Sequence, residues 1–179
     1  MALDPIVLLT ARYVVAGIFT ISAFAKLMRF HDFVAVVEGY RLLPSWAVPP
    51  AAVAIPLLEA LVSLGLWTQA LPAVSSGAAG ALLAIFTVAI VVNLVRGRTE
   101  IDCGCLGPLL RQRIGWWMVI RNGVLMGLVG LTYPGWTSMN RVYGPADVVF
   151  GGLAAAILVI LYVAFQLLWT QGPGEVRTR

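Results

Sequence analysis

Five apolar stretches, most of them as long as a bilayer is thick, leave this chain few folds to choose from. They run over about residues 5–27, 51–67, 73–95, a stretch opening at Ile114-Gly115-Trp116-Trp117, and about 146–169. A helix of roughly 20 apolar residues crosses the hydrocarbon core. Lipid offers no partner to a backbone N–H or C=O, so such runs must be helical. The composition agrees: 60% of the 179 residues are hydrophobic and 11% charged, against about 25% charged in a soluble domain. The mean hydropathy is +0.92. The chain therefore reads as all-α, a polytopic membrane helix bundle. Its first apolar run is too long, and lacks the basic leader, to be a cleaved signal peptide; it reads as a retained span. A net charge of +4 without a basic stripe among aromatics points to membrane orientation, and no nucleic acid is expected as partner.

Inside such runs only the polar interruptions inform. Lys26 lies at the end of the first span, where its ammonium would snorkel to the headgroups. Arg12, about two turns inside, would reach the nearer interface. Glu59 falls in the middle of the second span, at a cost of about 2.5–3.5 kcal/mol on insertion scales, so it should face the bundle interior. Pairing with Arg121 or Arg12 is the structural account of it, and proton handling or substrate contact the functional one. Pro56, one turn earlier, predicts a kink. The segment between spans one and two, with Arg29, His31, Asp32, Glu38 and Arg41, reads as a loop closing at Leu43-Pro44. Gln69-Ala70-Leu71-Pro72 is short enough to make spans two and three an antiparallel hairpin. Gly77 and Gly80, and the pair Gly123 and Gly127, predict close helix approach. Trp116 and Trp117 read as interface anchors, and Arg121-Asn122 follow about a turn later. Gly151-Gly152 reads as packing.

Both cysteines sit in one polar loop, Asp102-Cys103-Gly104-Cys105-Leu106-Gly107. Two cysteines separated by one residue reach disulfide geometry only in a bent backbone, which Gly104 permits. A bridge so closed is strained, and strained bridges are the labile ones that exchange. It encloses too short a loop to stabilise a fold. Two unrelated free thiols are the plainer alternative. A soft-metal site is the third: thiolates suit Cu(I), whereas zinc would need His31 and a carboxylate as well. No cofactor or metal is assigned. Asp102 disfavours a thiolate, while Arg96, Arg98, Arg111 and Arg113 favour one.

The loops after the first and third spans share a side. Together they carry Lys26, Arg29, Arg41, Arg96, Arg98, Arg111 and Arg113, against Arg141 and Arg12 opposite. The positive-inside rule thus places the cysteine loop in the cytoplasm and the N-terminus outside, in a cell (inner or plasma) membrane.

Taken in order, Phe24-Ala25-Lys26-Leu27, Tyr40-Arg41-Leu42-Leu43-Pro44, Pro56-Leu57-Leu58-Glu59, Arg96-Gly97, Asp102-Cys103-Gly104-Cys105-Leu106-Gly107 and Trp117 with Arg121-Asn122 resemble the MauE family of methylamine-utilisation membrane proteins, within the wider DoxX-like group. The family usually carries an aromatic where this chain has Leu106. The resemblance covers about three quarters of the chain. It implies a four-helix membrane core over 1–133, with 134–179 adding a connecting loop, a fifth C-terminal transmembrane helix and a polar tail. It also implies work beside a thioredoxin-like partner, maturing a substrate protein with disulfides in methylamine metabolism. Those substrate disulfides are periplasmic, opposite to the side the charge count gives. Either the loop moves into the bundle or the orientation is reversed.

The leading expectation is thiol–disulfide oxidoreductase-like exchange by Cys103 and Cys105, supported by a polar cluster of Lys26, Glu59, Asp102, Arg121 and Asn122. A non-catalytic assembly or stabilising subunit and a copper carrier are the alternatives.

Overall fold

The computed structural model describes residues 4–101, 114–133 and 143–170. Among the described residues six α-helices follow in order: α1 Pro5–Met28, α2 Phe30–Gly39, α3 Val48–Thr68, α4 Pro72–Val95, α5 Trp116–Leu131 and α6 Pro145–Thr170, with a 3-10 turn at Ser45–Ala47 leading into α3. Four of the spanning helices start where a proline can occupy the first turn without losing a hydrogen bond: Pro5, Pro49-Pro50, Pro72 and Pro145. Asp4 adds a side-chain cap, accepting from the Ile6 N–H at 2.8 Å. α3 runs unbroken through Pro56 and ends at Gln69, whose left-handed φ of 57° lets its N–H reach the Gly65 carbonyl at 3.1 Å.

The expected fold holds. α1 packs on α3, α3 on α4, α4 on α5 and α5 back on α1, closing a four-helix ring, and α6 lies outside it against α1. Gly17 of α1 faces Val159, and Gly151 of α6 faces Leu9 and Ile6, so the two helices ascend together. Phe19, Val62, Leu66, Leu83, Leu125 and Val129 fill the ring. The outward faces of α4 and α6 expose Ile85, Val88, Leu153, Ile157 and Ile160, as a surface solvated by lipid requires. α1, α3, α4 and α6 are each long and apolar enough to cross a membrane; α5, at 16 residues, is about 24 Å long by helical rise.

Three expectations change. The loop after α1 contains a helix, α2, because Phe33, Val36, Val37 and Tyr40 recur at the helical period while His31, Asp32 and Glu38 face out. Gly123 and Gly127 meet nothing within 4 Å, and neither does Gly77, so these three bring no helices together among the described residues, whereas Gly80 faces Val129 of α5 at 3.9 Å. Closer approaches fall at Gly65, where an added Cβ would overlap the Ser75 hydroxyl of α4, and at Gly17 and Gly151, where it would lie 3.2 Å from Val159 and 3.0 Å from Leu9.

Candidate functional site

Polar contacts run the length of the α1–α3 seam. Near its N-terminal end the Arg12 Nε donates to the Leu66 carbonyl at 2.9 Å, satisfying an acceptor that the last turn of α3 would leave open. Arg12 is therefore buried against the last turn of α3. One level on, the Thr20 and Ser63 hydroxyls lie 2.6 Å apart in a shared hydrogen bond, and the Trp67 indole donates to Thr20 at 3.1 Å.

At the next level sits the ion pair. Lys26 Nζ lies 2.5 Å from Glu59 Oε1. Ser22, one helical turn before Lys26 on the same face, accepts from the ammonium at 2.7 Å and its hydroxyl lies 3.1 and 3.2 Å from the two Glu59 oxygens. Both ions are sealed: relative exposure is 2% for Lys26 and 1% for Glu59. Lys26 does not snorkel. The Phe33 and Phe86 rings stand 5.4 and 5.2 Å from Nζ, supplying negative ring faces where water is absent. A pair so desolvated is tenable only with close contact and further hydrogen bonds, which Ser22 provides.

Arg121 and Asn122, in the second turn of α5, also point inward. Arg121 Nη2 donates to Asn122 Oδ1 at 3.1 Å, and Asn122 Nδ2 donates to Thr87 of α4 at 3.1 Å. A cavity of about 30 Å³ separates this group from the ion pair, lined by Ser22, Glu59, Arg121, Asn122 and Tyr162 among apolar neighbours. That is room for a water molecule with several polar partners. Four of the five expected cluster members divide as follows. Lys26, Glu59, Arg121 and Asn122 converge on one half of the bundle; Glu59, expected to pair with Arg121 or Arg12, takes Lys26 as an ion partner, while Arg12 bonds the Leu66 carbonyl. Asp102, the fifth, lies outside the described residues, as do Cys103 and Cys105.

The stretch bearing those three leaves and returns at one place. The Ile114 N–H donates to the Ile101 carbonyl at 2.9 Å, and both isoleucines pack with Ile90, Met118 and Tyr40. α1 ends and α5 begins at this same end of the bundle. Among the described residues no three His, Cys, Asp or Glu side chains cluster as a metal site would need, and His31 stands exposed on α2. Ser22, Thr87 and Tyr162 were not anticipated. The i, i+4 spacing of Ser22 to Lys26 was the one readable sign.

These features define a multi-pass helical membrane protein with a charged, hydrogen-bonded core. The family model for MauE, "Methylamine utilisation protein MauE", matches residues 4–135, and the chain belongs to that family. It is 36% identical to the methylamine utilization protein MauE of Paracoccus denitrificans over 93% of this chain and 89% of that one. The MauE protein of Paracoccus versutus is 39% identical over 92% and 88%, and that of Methylophilus methylotrophus 39% over 72% and 68%. No solved structure matches the chain.

Proposed function

We propose that this chain serves methylamine utilisation in the cell membrane by thiol–disulfide exchange with a partner protein, Cys103 and Cys105 being the exchanging pair. In the oxidative direction a partner thiolate attacks the Cys103–Cys105 bridge, forming a mixed disulfide and releasing one cysteine thiolate. The partner's second thiolate then attacks the mixed disulfide, so two electrons pass from the partner's dithiol to this chain. A thioredoxin-like disulfide takes those electrons from the reduced pair by the same two steps in reverse order. Lys26, Glu59, Arg121 and Asn122 hold the bundle end rigid beneath the loop. The orientation that goes with this reading is cytoplasmic for the loop. Arg29, Arg41, Arg96, Arg98, Arg111 and Arg113 remain on that side once Lys26 is removed from the count as a buried ion.

The observation that carries the reading is the Ile101–Ile114 closure, which anchors the cysteine-bearing segment at the end of the bundle nearest the buried ions. It is supported by the family's role in methylamine utilisation. The test is growth on methylamine with trapping of mixed disulfides. The Cys103→Ser and Cys105→Ser variants should each lose at least tenfold in complementation, and one of them should accumulate a covalent complex resolved by mass spectrometry. Impermeant maleimide applied to intact cells should leave both thiols unlabelled. Full complementation by the double serine variant, with Glu59→Gln failing instead, would establish an assembly subunit in place of an exchanger.

A further inference from the structure

A second cavity lies beside the polar core. It holds about 540 Å³ between α2 and α4, with Phe33, Val36, Val37 and Tyr40 on one wall and Ile85, Val88 and Val92 on the other. This is the size range of small-molecule sites. The wall on α4 is also lipid-facing, since Ile85 and Val88 are exposed by 62% and 61%. The chamber is therefore continuous with the bilayer. It also explains α2: the apolar stripe of that short helix roofs the chamber instead of packing onto α4.

Among the described residues, the charged side chain lining the chamber is Lys26. Phe33 and Phe86, the two rings beside its ammonium, line the chamber as well, which sets Nζ close beside it. An ammonium has three N–H donors. Two are directed to Ser22 and to Glu59, which leaves a third for an acceptor in the chamber. Because Glu59 already neutralises Lys26, an anionic ligand gains no net charge attraction there. A neutral acceptor on an apolar body matches both features.

We propose that this chamber binds a bilayer-dissolved apolar molecule carrying a carbonyl oxygen, with the hydrocarbon body between α2 and α4 and the carbonyl accepting from Lys26 Nζ. Ester lipids and isoprenoid quinones are the two membrane sources of that chemistry. The proposal does not rest on the cysteines.

Thermal unfolding of the full-length, delipidated protein in detergent, followed by its tryptophan emission, tests it. The probes come in matched pairs: decylubiquinone against decylbenzene, and diacyl against diether phosphatidylglycerol. Binding to the native state raises the unfolding temperature by mass action. At least one carbonyl-bearing probe should give a saturable rise and bind tenfold or more tightly than its carbonyl-free analogue; which pair responds identifies the source. Ala89→Trp, which fills the chamber from α4, should abolish the rise. Val36→Trp fills it from α2, outside the four-helix ring, and should do the same even where the α4 variant fails to fold. Equal response to both members of each pair, or a rise that survives Val36→Trp, would overturn the assignment.

Discussion

α1 has two neighbours that it holds by opposite means. Against α3 it uses polar side chains at successive levels, from Arg12 on the Leu66 carbonyl, through Thr20 and Ser63, to Lys26 on Glu59. Against α6 it uses close backbone approach, with Gly17 under Val159 and Gly151 under Leu9. In lipid the hydrophobic effect does not press one helix onto another, so association depends on hydrogen bonds or on close backbone approach. The polar seam fixes register, because its donors and acceptors meet at matched levels of the two helices. The glycine seam fixes distance and leaves the outer helix bathed in lipid.

The largest effect should come from unbalancing the polar seam. Glu59→Ala leaves the Lys26 ammonium buried beside Ser22 without its carboxylate, and should cost about 3–5 kcal/mol, read by reversible unfolding in mixed micelles. Lys26→Met combined with Glu59→Leu removes both charges and should recover most of that loss. A double variant no better than the single one would mean that the carboxylate supports the fold through other partners. The glycine seam should break next. Gly151→Leu puts a side chain where Leu9 Cβ already stands, and should cost about 1–3 kcal/mol, whereas Gly152→Leu, which meets nothing, should fall within about 0.5 kcal/mol of the parent. Disulfide cross-linking between cysteines introduced on α1 and α6 should fall with the first substitution and persist with the second. The smallest change is expected from Thr20→Val, which removes one hydroxyl from the polar seam. Membrane hydrogen bonds average about 0.6 kcal/mol, so a loss above 2 kcal/mol would mark Thr20 and Ser63 as part of a coupled network.

The contrast also separates what sequence could tell from what it could not. Spans were legible because lipid forces helix on any long apolar run, and the prolines at 5, 49, 50, 72 and 145 marked their starts. Helix α2 was hidden because its charges drew attention away from the Phe33, Val36, Val37 and Tyr40 stripe. Glu59 was correctly expected inside, since a carboxylate in hydrocarbon has nowhere else to go. Its partner was not legible: Lys26, Arg12 and Arg121 are all basic residues within reach of the bundle, and which one meets it depends on the rotation of each helix about its axis. The same unknown rotation explains the glycines. Gly123 and Gly127 have the spacing of a contact motif yet meet nothing within 4 Å, whereas Gly17, Gly65 and Gly151 are turned toward a neighbour. Lys26 looked like a snorkelling residue because position along the span was readable and facing was not.

The brevity of α5 has a consequence for the membrane itself. Its 16 residues stand beside the 24 of α4, and Ile120 and Val124 turn its side to the lipid. A hydrocarbon layer about 30 Å thick overreaches a rod of about 24 Å, so acyl chains touching this flank must compress while those along α4 stay relaxed. The protein thus carries a local dimple in the bilayer, bordered by Trp116 and Trp117, and its preferred surroundings are short-chained lipids on one side only.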